Sequence, residues 1–229
     1  MSAPTLDEAV EWRTPIWAPA VSSALDRASA LLPHDARVLE IGYNTGLMSC
    51  YMAAHYGWHV VGYDISFSAQ DKASRIAQEY GTEKKCKFRT CLPQETLSIR
   101  GAYDAVFIKS VLYHISDREV YGHWLDWLHG ILKLGGLVLA IENGKGGLLD
   151  KFYRKRIKAA RWAEFQLFDR SVEQEFRRRF RYVDIEYFGR LSQFFTPFPK
   201  VFKLIKAVEA RLFPANSDHC FVASIVAQR

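Results

Sequence analysis

The chain has 229 residues, 49% hydrophobic and 24% charged, the size and mix of one soluble globular unit with a full core. No apolar run reaches the roughly 18–20 residues a bilayer span requires, and four cysteines without a C-x-x-C pair argue against a zinc site and for reduced thiols. The formal charge of +6 is a modest basic excess, concentrated in Lys151–Arg161, with six basic residues and no acid, and in Arg177, Arg178, Arg179 and Arg181.

Residues 1–20, with Trp12, Pro15, Trp17 and Pro19, read as an extended or loosely helical lead-in. They lack the charged start and apolar stretch of a secretory leader, so a cytoplasmic protein is expected. Helical spacing over Val21–Leu32 stops at Pro33, and Val38–Ile41 reads as a first strand. A turn then leads into a helix over Leu47–His55, closed by Gly57. Val60–Tyr63 is a second strand, Ser66 a helix cap, and Cys86–Thr90 a short third strand. Tyr103–Ile108 is apolar enough to be buried on both faces. Ser116-Asp117-Arg118-Glu119 has the form of a capping box opening the next helix. Leu134-Gly135-Gly136 turns into a fifth strand, Leu137–Glu142. Arg181–Phe188 and Cys220–Ala227 alternate as two late strands, and Val201, Leu204, Ile205, Val208 and Leu212 keep helical spacing between them. Strands alternating with helices at this rhythm predict an α/β, doubly wound, mostly parallel sheet, with the late pair forming an antiparallel C-terminal edge.

Chemistry concentrates in Val38-Leu39-Glu40-Ile41-Gly42-Tyr43-Asn44-Thr45-Gly46 and in Asp64 at the end of the next strand. Glycine serves where φ must be positive or a ligand must approach the backbone, and Asp64 can accept both hydroxyls of a ribose. A dinucleotide fingerprint would need glycine at positions 42, 44 and 47, which hold Gly42, Asn44 and Leu47, so a pyrophosphate would be poorly seated. Glu40 would repel phosphate but could accept from an ammonium group. The pair therefore suits a nucleoside joined to a cationic amino acid.

These motifs resemble the class I S-adenosylmethionine (SAM)-dependent methyltransferases, in particular those acting on small molecules or glycans. The family's seven-stranded Rossmann-like sheet matches the strand order. The resemblance implies a cofactor site of Glu40, Gly42, Tyr43, Asn44 and Gly46 around the methionine part, Asp64 on the ribose, and Ile65 against the adenine. After the third strand the family often has Asp-Ala, whereas Arg89-Thr90-Cys91-Leu92-Pro93 carries no acid, so Cys91 and Leu92 would line the adenine through their backbone. Lys109 and Ser110 would lie beside the sulfonium. His114, in a Val-Leu-Tyr-His-Ile run, matches a histidine that could serve as general base, or could instead hold a loop. Tyr113, Glu142 and Asn143 are candidate acceptor contacts.

The resemblance divides the chain into a lead-in or cap at 1–20 and a methyltransferase domain at 21–229. That domain carries an acceptor-side insertion at about 144–176 and a basic amphipathic helix at about 198–213. No N-P-P-Y tetrad and no Pro-Cys dipeptide occur, which lowers nucleic-acid amine and cytosine C5 targets. The expected function is methyl transfer from SAM, leaving S-adenosylhomocysteine, to a small-molecule or glycan acceptor, anionic or lipid-linked, at oxygen. No metal and no DNA partner are expected. The alternatives are an RNA methyltransferase using 151–161 and 177–181, and a membrane-associated SAM-binding protein without catalysis. Peripheral membrane contact and a homodimer are further expectations.

Overall fold

In the computed structural model, residues 3–91, 102–147 and 165–229 are described. Seven strands form one sheet in the order β3-β2-β1-β4-β5-β7-β6. They are β1 (Arg37–Ile41), β2 (His59–Asp64), β3 (Cys86–Thr90), β4 (Tyr103–Lys109), β5 (Leu132–Asn143), β6 (Tyr182–Phe188) and β7 (Val222–Gln228). The first five run parallel, and β7 runs antiparallel to both β5 and β6. The two late strands thus form the antiparallel edge, with the C-terminal β7 one place in and β6 on the rim.

The two faces follow from the period of two along each strand. Val38, Ala105, Phe107 and Leu139 meet α2 (Thr14–Ser29), α3 (Leu47–Tyr56) and α4 (Phe67–Glu79) in one core. Leu39, Val106, Ile108 and Ala140 meet α5 (Arg118–Ile131) and α6 (Arg170–Arg179) in the other. Burial on both sides explains why β4 and the centre of β5 read as unbroken apolar runs.

Four local expectations are corrected. The lead-in is helical: α1 (Leu6–Val10) is capped by a Thr5–Glu8 box, and α2 starts at Thr14 rather than Val21. Pro15 lies in the first turn of α2, where a proline removes no helical hydrogen bond, and the face of Ile16, Trp17, Ala20 and Val21 is buried. The helix after β4 is capped by Asp117, whose carboxylate accepts from the amides of Glu119 and Val120, and not by Ser116. Ser66 occupies the cap position of α4 but makes no side-chain cap bond, its hydroxyl pairing with that of Ser68. β5 begins at Leu132, five residues early.

α7 (Pro199–Leu212) forms where helical spacing places it, preceded by the 3₁₀ turn Ser192–Phe195. Among the described residues no helix is long and apolar enough to cross a membrane.

Candidate active site

A cavity of about 650 Å³ opens at the carboxyl ends of β1, β2 and β4, within the usual size of a small-molecule site and at the edge where doubly wound sheets place ligands. The chain leaves β1 through two glycines in the left-handed region, Gly42 at φ +77° and Gly46 at φ +79°, with Asn44 between them at φ 48°. Gly42 lines the cavity, and a Cβ there would lie 2.5 Å from Val111 Cγ2. Gly46 has a different reason for being glycine. It caps α3, does not line the cavity, and a Cβ would meet Ala73 Cβ at 2.6 Å and Phe88 Cζ at 2.9 Å. Packing between α3, α4 and β3 by itself requires glycine there, whether or not the residue also wraps the cofactor. Tyr43 lines the cavity and rests on Phe88 with ring centroids 4.9 Å apart.

Asp64 ends β2 with its carboxylate fixed at both oxygens. Oδ2 accepts from the Asn44 amide at 2.9 Å and Oδ1 from the Ser66 amide at 2.9 Å. Each oxygen keeps a further lone pair for a hydroxyl donor. Ile65 lies beside it on the cavity wall, 69% exposed, an apolar surface free to cover a flat ring. Cys91 also lines the cavity, and its amide donates to the Asp64 carbonyl at 3.1 Å. Leu92 falls outside the described residues.

Glu40 lies fully buried at the inner end, accepting from the Ser49 hydroxyl. Burial pushes its carboxyl up to about 7, the Ser49 bond and nearby Lys109 pulling the other way. A carboxyl so placed gains from a cation brought beside it. Lys109 lines the same end, but its amine donates to the Val10 carbonyl at 2.9 Å and ties α1 to the sheet. Burial lowers the Lys109 pKa, against Glu11 and Glu40, which raise it. α1 thereby closes one side of the cavity: Ala9 and Glu11 line it, and Glu11 Oε2 accepts from Asn44 Nδ2 at 3.4 Å. Sequence reasoning missed both: Thr5-x-x-Glu8 has the form of a capping box, but nothing local marks the five-residue helix as a wall of the site or Glu11 (φ 65°) as left-handed. Met48, Tyr63, Val111, Ile115 and Trp124, which also line the cavity, read in the sequence only as apolar helix, strand or loop residues.

After β4, Ser110 takes φ 55° and lines the cavity, with its hydroxyl accepting from Asn143 Nδ2 at 3.2 Å. A 3₁₀ turn, Leu112–His114, follows. Glu142 grips that turn: Oε1 accepts from the amides of Val111 (3.2 Å) and Leu112 (3.0 Å), and Oε2 from Tyr113 (3.3 Å). Glu142, Asn143 and Tyr113, expected as acceptor contacts, lie outside the lining of this cavity. Glu142 is turned to backbone amides, Asn143 to Ser110, and the Tyr113 ring packs against both His114 (4.1 Å) and Phe165 (5.0 Å). His114 does line the cavity, next to Val111, Ile115 and Trp124. Burial lowers its pKa below the usual 6.5, so the ring is neutral at neutral pH and able to take a proton.

The second basic tract is largely paired within the chain. Arg177 pairs with Glu173, Arg178 with Glu175, and Arg179 with both Asp126 and Glu175, so these cations mostly face acids of their own chain. The 151–161 tract lies outside the described residues. Among the described residues no cluster of three or more His, Cys, Asp or Glu could hold a metal ion.

The site fits SAM on its own geometry. An acid with open lone pairs stands at the outer end, an apolar ledge beside it, and a buried acid with an uncompensated tendency to protonate at the inner end. Residues 13–197, most of the chain, match the family model of a methyltransferase domain. No curated protein sequence matches the chain. A SAM-dependent methyltransferase from Archaeoglobus fulgidus shares the fold at 19% identity and TM-score 0.63, over 92% of this chain and 94% of that one. A geranyl diphosphate methyltransferase in complex with SAM aligns at 12% identity and TM-score 0.62, over 91% and 85%. The [4+2]-cyclase SpnF aligns at 14% identity and TM-score 0.60, over 99% and 98%. At such identities the likeness is one of fold. With the family match and a cavity of this chemistry, the chain belongs to the methyltransferase-domain family and is a SAM-dependent methyltransferase.

Proposed function

We propose that the protein methylates an oxygen of a small-molecule or glycan acceptor, with His114 receiving the proton of the acceptor hydroxyl. The observation that carries this reading is the neutral His114 ring on the wall of the cavity that also holds Gly42, Asp64 and Glu40. Bound SAM supplies a methyl group on a sulfonium, an already activated leaving group. The protein then has to align the acceptor, keep water out and accept one proton. Asp64 and Ile65 would hold the nucleoside, and Glu40 would face the cationic end. Val111, Ile115 and Trp124 give the acceptor side an apolar, aromatic wall, suited to the ring face of a sugar or another small cyclic acceptor.

The position of His114 is set by structure around it. Its amide donates to the Val111 carbonyl at 3.1 Å within the turn that Glu142 holds, and its ring meets Phe165 edge-on, centroids 5.1 Å apart. The test is His114→Ala with SAM affinity measured alongside turnover on a panel of sugars and hydroxylated small molecules. A large loss of turnover with nearly unchanged affinity is expected. In the wild type, turnover should fall as pH drops through a value below 6.5, because protonation removes the base. A variant of full activity, or a pH profile flat through that region, overturns the assignment of the base.

A further inference from the structure

We propose that α7 docks the enzyme on a bilayer surface containing anionic lipid. Few of this helix's apolar side chains are used inside the protein. Within α7 itself the one buried residue is Glu209, and Leu204, Val208, Val201 and Leu212, spaced three and four apart, are 41–64% exposed. On a helix of 3.6 residues per turn these four form one stripe. Phe198 and Phe213, 61% and 48% exposed, lie at its two ends. A contiguous apolar strip of this kind on a folded chain marks an interaction surface.

Charge decides between occupants. The helix carries Lys200, Lys203, Lys206 and Arg211, all exposed, and one acid. That acid, Glu209, is turned inward, where it accepts from the amides of Arg190 (2.7 Å), Leu191 (2.8 Å) and Ser192 (2.7 Å). The solvent-facing side of α7 is therefore apolar and purely cationic. A second copy meeting it face to face would set lysine against lysine in a two-fold contact, which is costly. Anionic headgroups complement the cations while the apolar stripe enters the acyl boundary, and long lysine stems reach the headgroups from either side.

Val222 of β7 is paired with both Asn143 at the end of β5 and Phe188 at the end of β6. β6 therefore ends level with β5, at the edge of the sheet that bears the cavity, and the chain passes from there into α7. The chain before and after α7 is thus joined to the edge of the sheet that bears the cavity. The docking stands without the acceptor reading above.

The experiment is co-sedimentation of the full chain with vesicles of phosphatidylcholine alone and of phosphatidylcholine with phosphatidylserine. Wild type should pellet with the anionic vesicles and lose that binding in high salt. Leu204→Glu with Val208→Glu should weaken binding more than about tenfold, by removing apolar burial and adding repulsion. Lys200→Gln with Lys203→Gln and Arg211→Gln should weaken it by about one to two orders of magnitude on the anionic vesicles only. All five side chains are exposed, so thermal midpoints should not move. Wild type that stays in solution with anionic vesicles overturns the proposal. So do variants that pellet like wild type, or a dimer that Leu204→Glu with Val208→Glu dissolves in the absence of lipid binding.

Discussion

Gly46 and Gly42 look alike in sequence and in backbone, both near φ +78°, yet one packs against Ala73 and Phe88 and the other lines the cavity, so Gly46→Ala tests the distinction. The added methyl would lie 2.6 Å from Ala73 Cβ and 3.1 Å from Ala73 Cα, atoms that no side-chain torsion can move away, and 2.9 Å from Phe88 Cζ. Holding a non-glycine residue in the left-handed region costs about 1–2 kcal/mol, and the smaller entropy of alanine in the unfolded chain offsets about 0.4–1 kcal/mol. Overpacking against fixed atoms adds about 1–3 kcal/mol. The net destabilisation is about 2–4 kcal/mol, which for a chain of this length lowers the thermal midpoint by roughly 5–15 °C. Differential scanning of Gly46→Ala should show that drop, with calorimetric SAM affinity nearly unchanged well below the midpoint. Gly42→Ala should behave differently, since its methyl would enter the cavity against Val111 Cγ2 and weaken SAM binding by about tenfold or more. An unchanged midpoint in Gly46→Ala, together with lost SAM affinity, would refute the packing role and return that glycine to the cofactor.

Asp64→Ala should weaken SAM binding by roughly 1.5–3 kcal/mol, the worth of a charge-assisted hydrogen bond, and also release the Asn44 and Ser66 amides; undiminished affinity would remove Asp64 from the site. Glu142→Gln keeps one acceptor oxygen but turns an NH₂ toward an amide donor, so stability should fall by about 1–3 kcal/mol and turnover should fall with SAM affinity kept. A Glu142→Gln enzyme of normal turnover would mean that the turn does not position His114. Glu40 makes stability pH-dependent: its folded pKa is about 7 against 4.5 for the free side chain, so the folded state holds the proton more tightly. That contribution is complete below about 4.5 and is lost as pH rises through about 7, at about 1.4 kcal/mol per unit and about 3 kcal/mol in all. Glu40→Gln should therefore gain stability relative to wild type across that interval, and denaturant titrations showing a constant difference would contradict the burial argument.

Most of the fold was legible because its signals are local. β3 starts and ends where its alternation does, α3 lies between its two glycines, and Asp64 ends a strand one βαβ unit after Glu40. What was not legible depends on partners distant in sequence. α1 becomes a wall of the site only through Lys109 reaching the Val10 carbonyl and Asn44 reaching Glu11. Gly46 is glycine because of Ala73 and Phe88, which its own neighbours do not announce. Glu142 carried the sequence signal of a ligand, an acid at a strand end. Its pleat position, in step with Val138 and Ala140, puts it on the face of α5, where the Leu112–His114 turn meets it. Reading that direction requires knowing which helix covers which face. His114 was legible from its neighbours in the chain, but its place on the cavity wall rests on Glu142 and on the Phe165 ring beyond it.

The same device sets several loops around this site, and it explains why acids there mislead a sequence reading. Asp64 accepts two backbone amides from two loops, Glu142 accepts three from the His114 turn, and Glu209 accepts three from the turn before α7. Asp169 caps α6 with the amides of Ser171 and Val172. A carboxylate can satisfy several adjacent N–H donors at once, which no neutral side chain of similar size does as well. Each therefore fixes a run of backbone that has no ladder of its own to join. In Glu142 and Glu209 the lone pairs within reach are directed at amides, and neither lines the cavity. In Asp64 they are not all taken, and the cavity opens beside it. The distinction between a bracing acid and a binding acid is thus how many amides converge on each oxygen. By that criterion Asp64, Glu11 and the buried Glu40 are the acids lining the cavity that keep acceptor capacity, and the proposed site gives Asp64 and Glu40 to the cofactor.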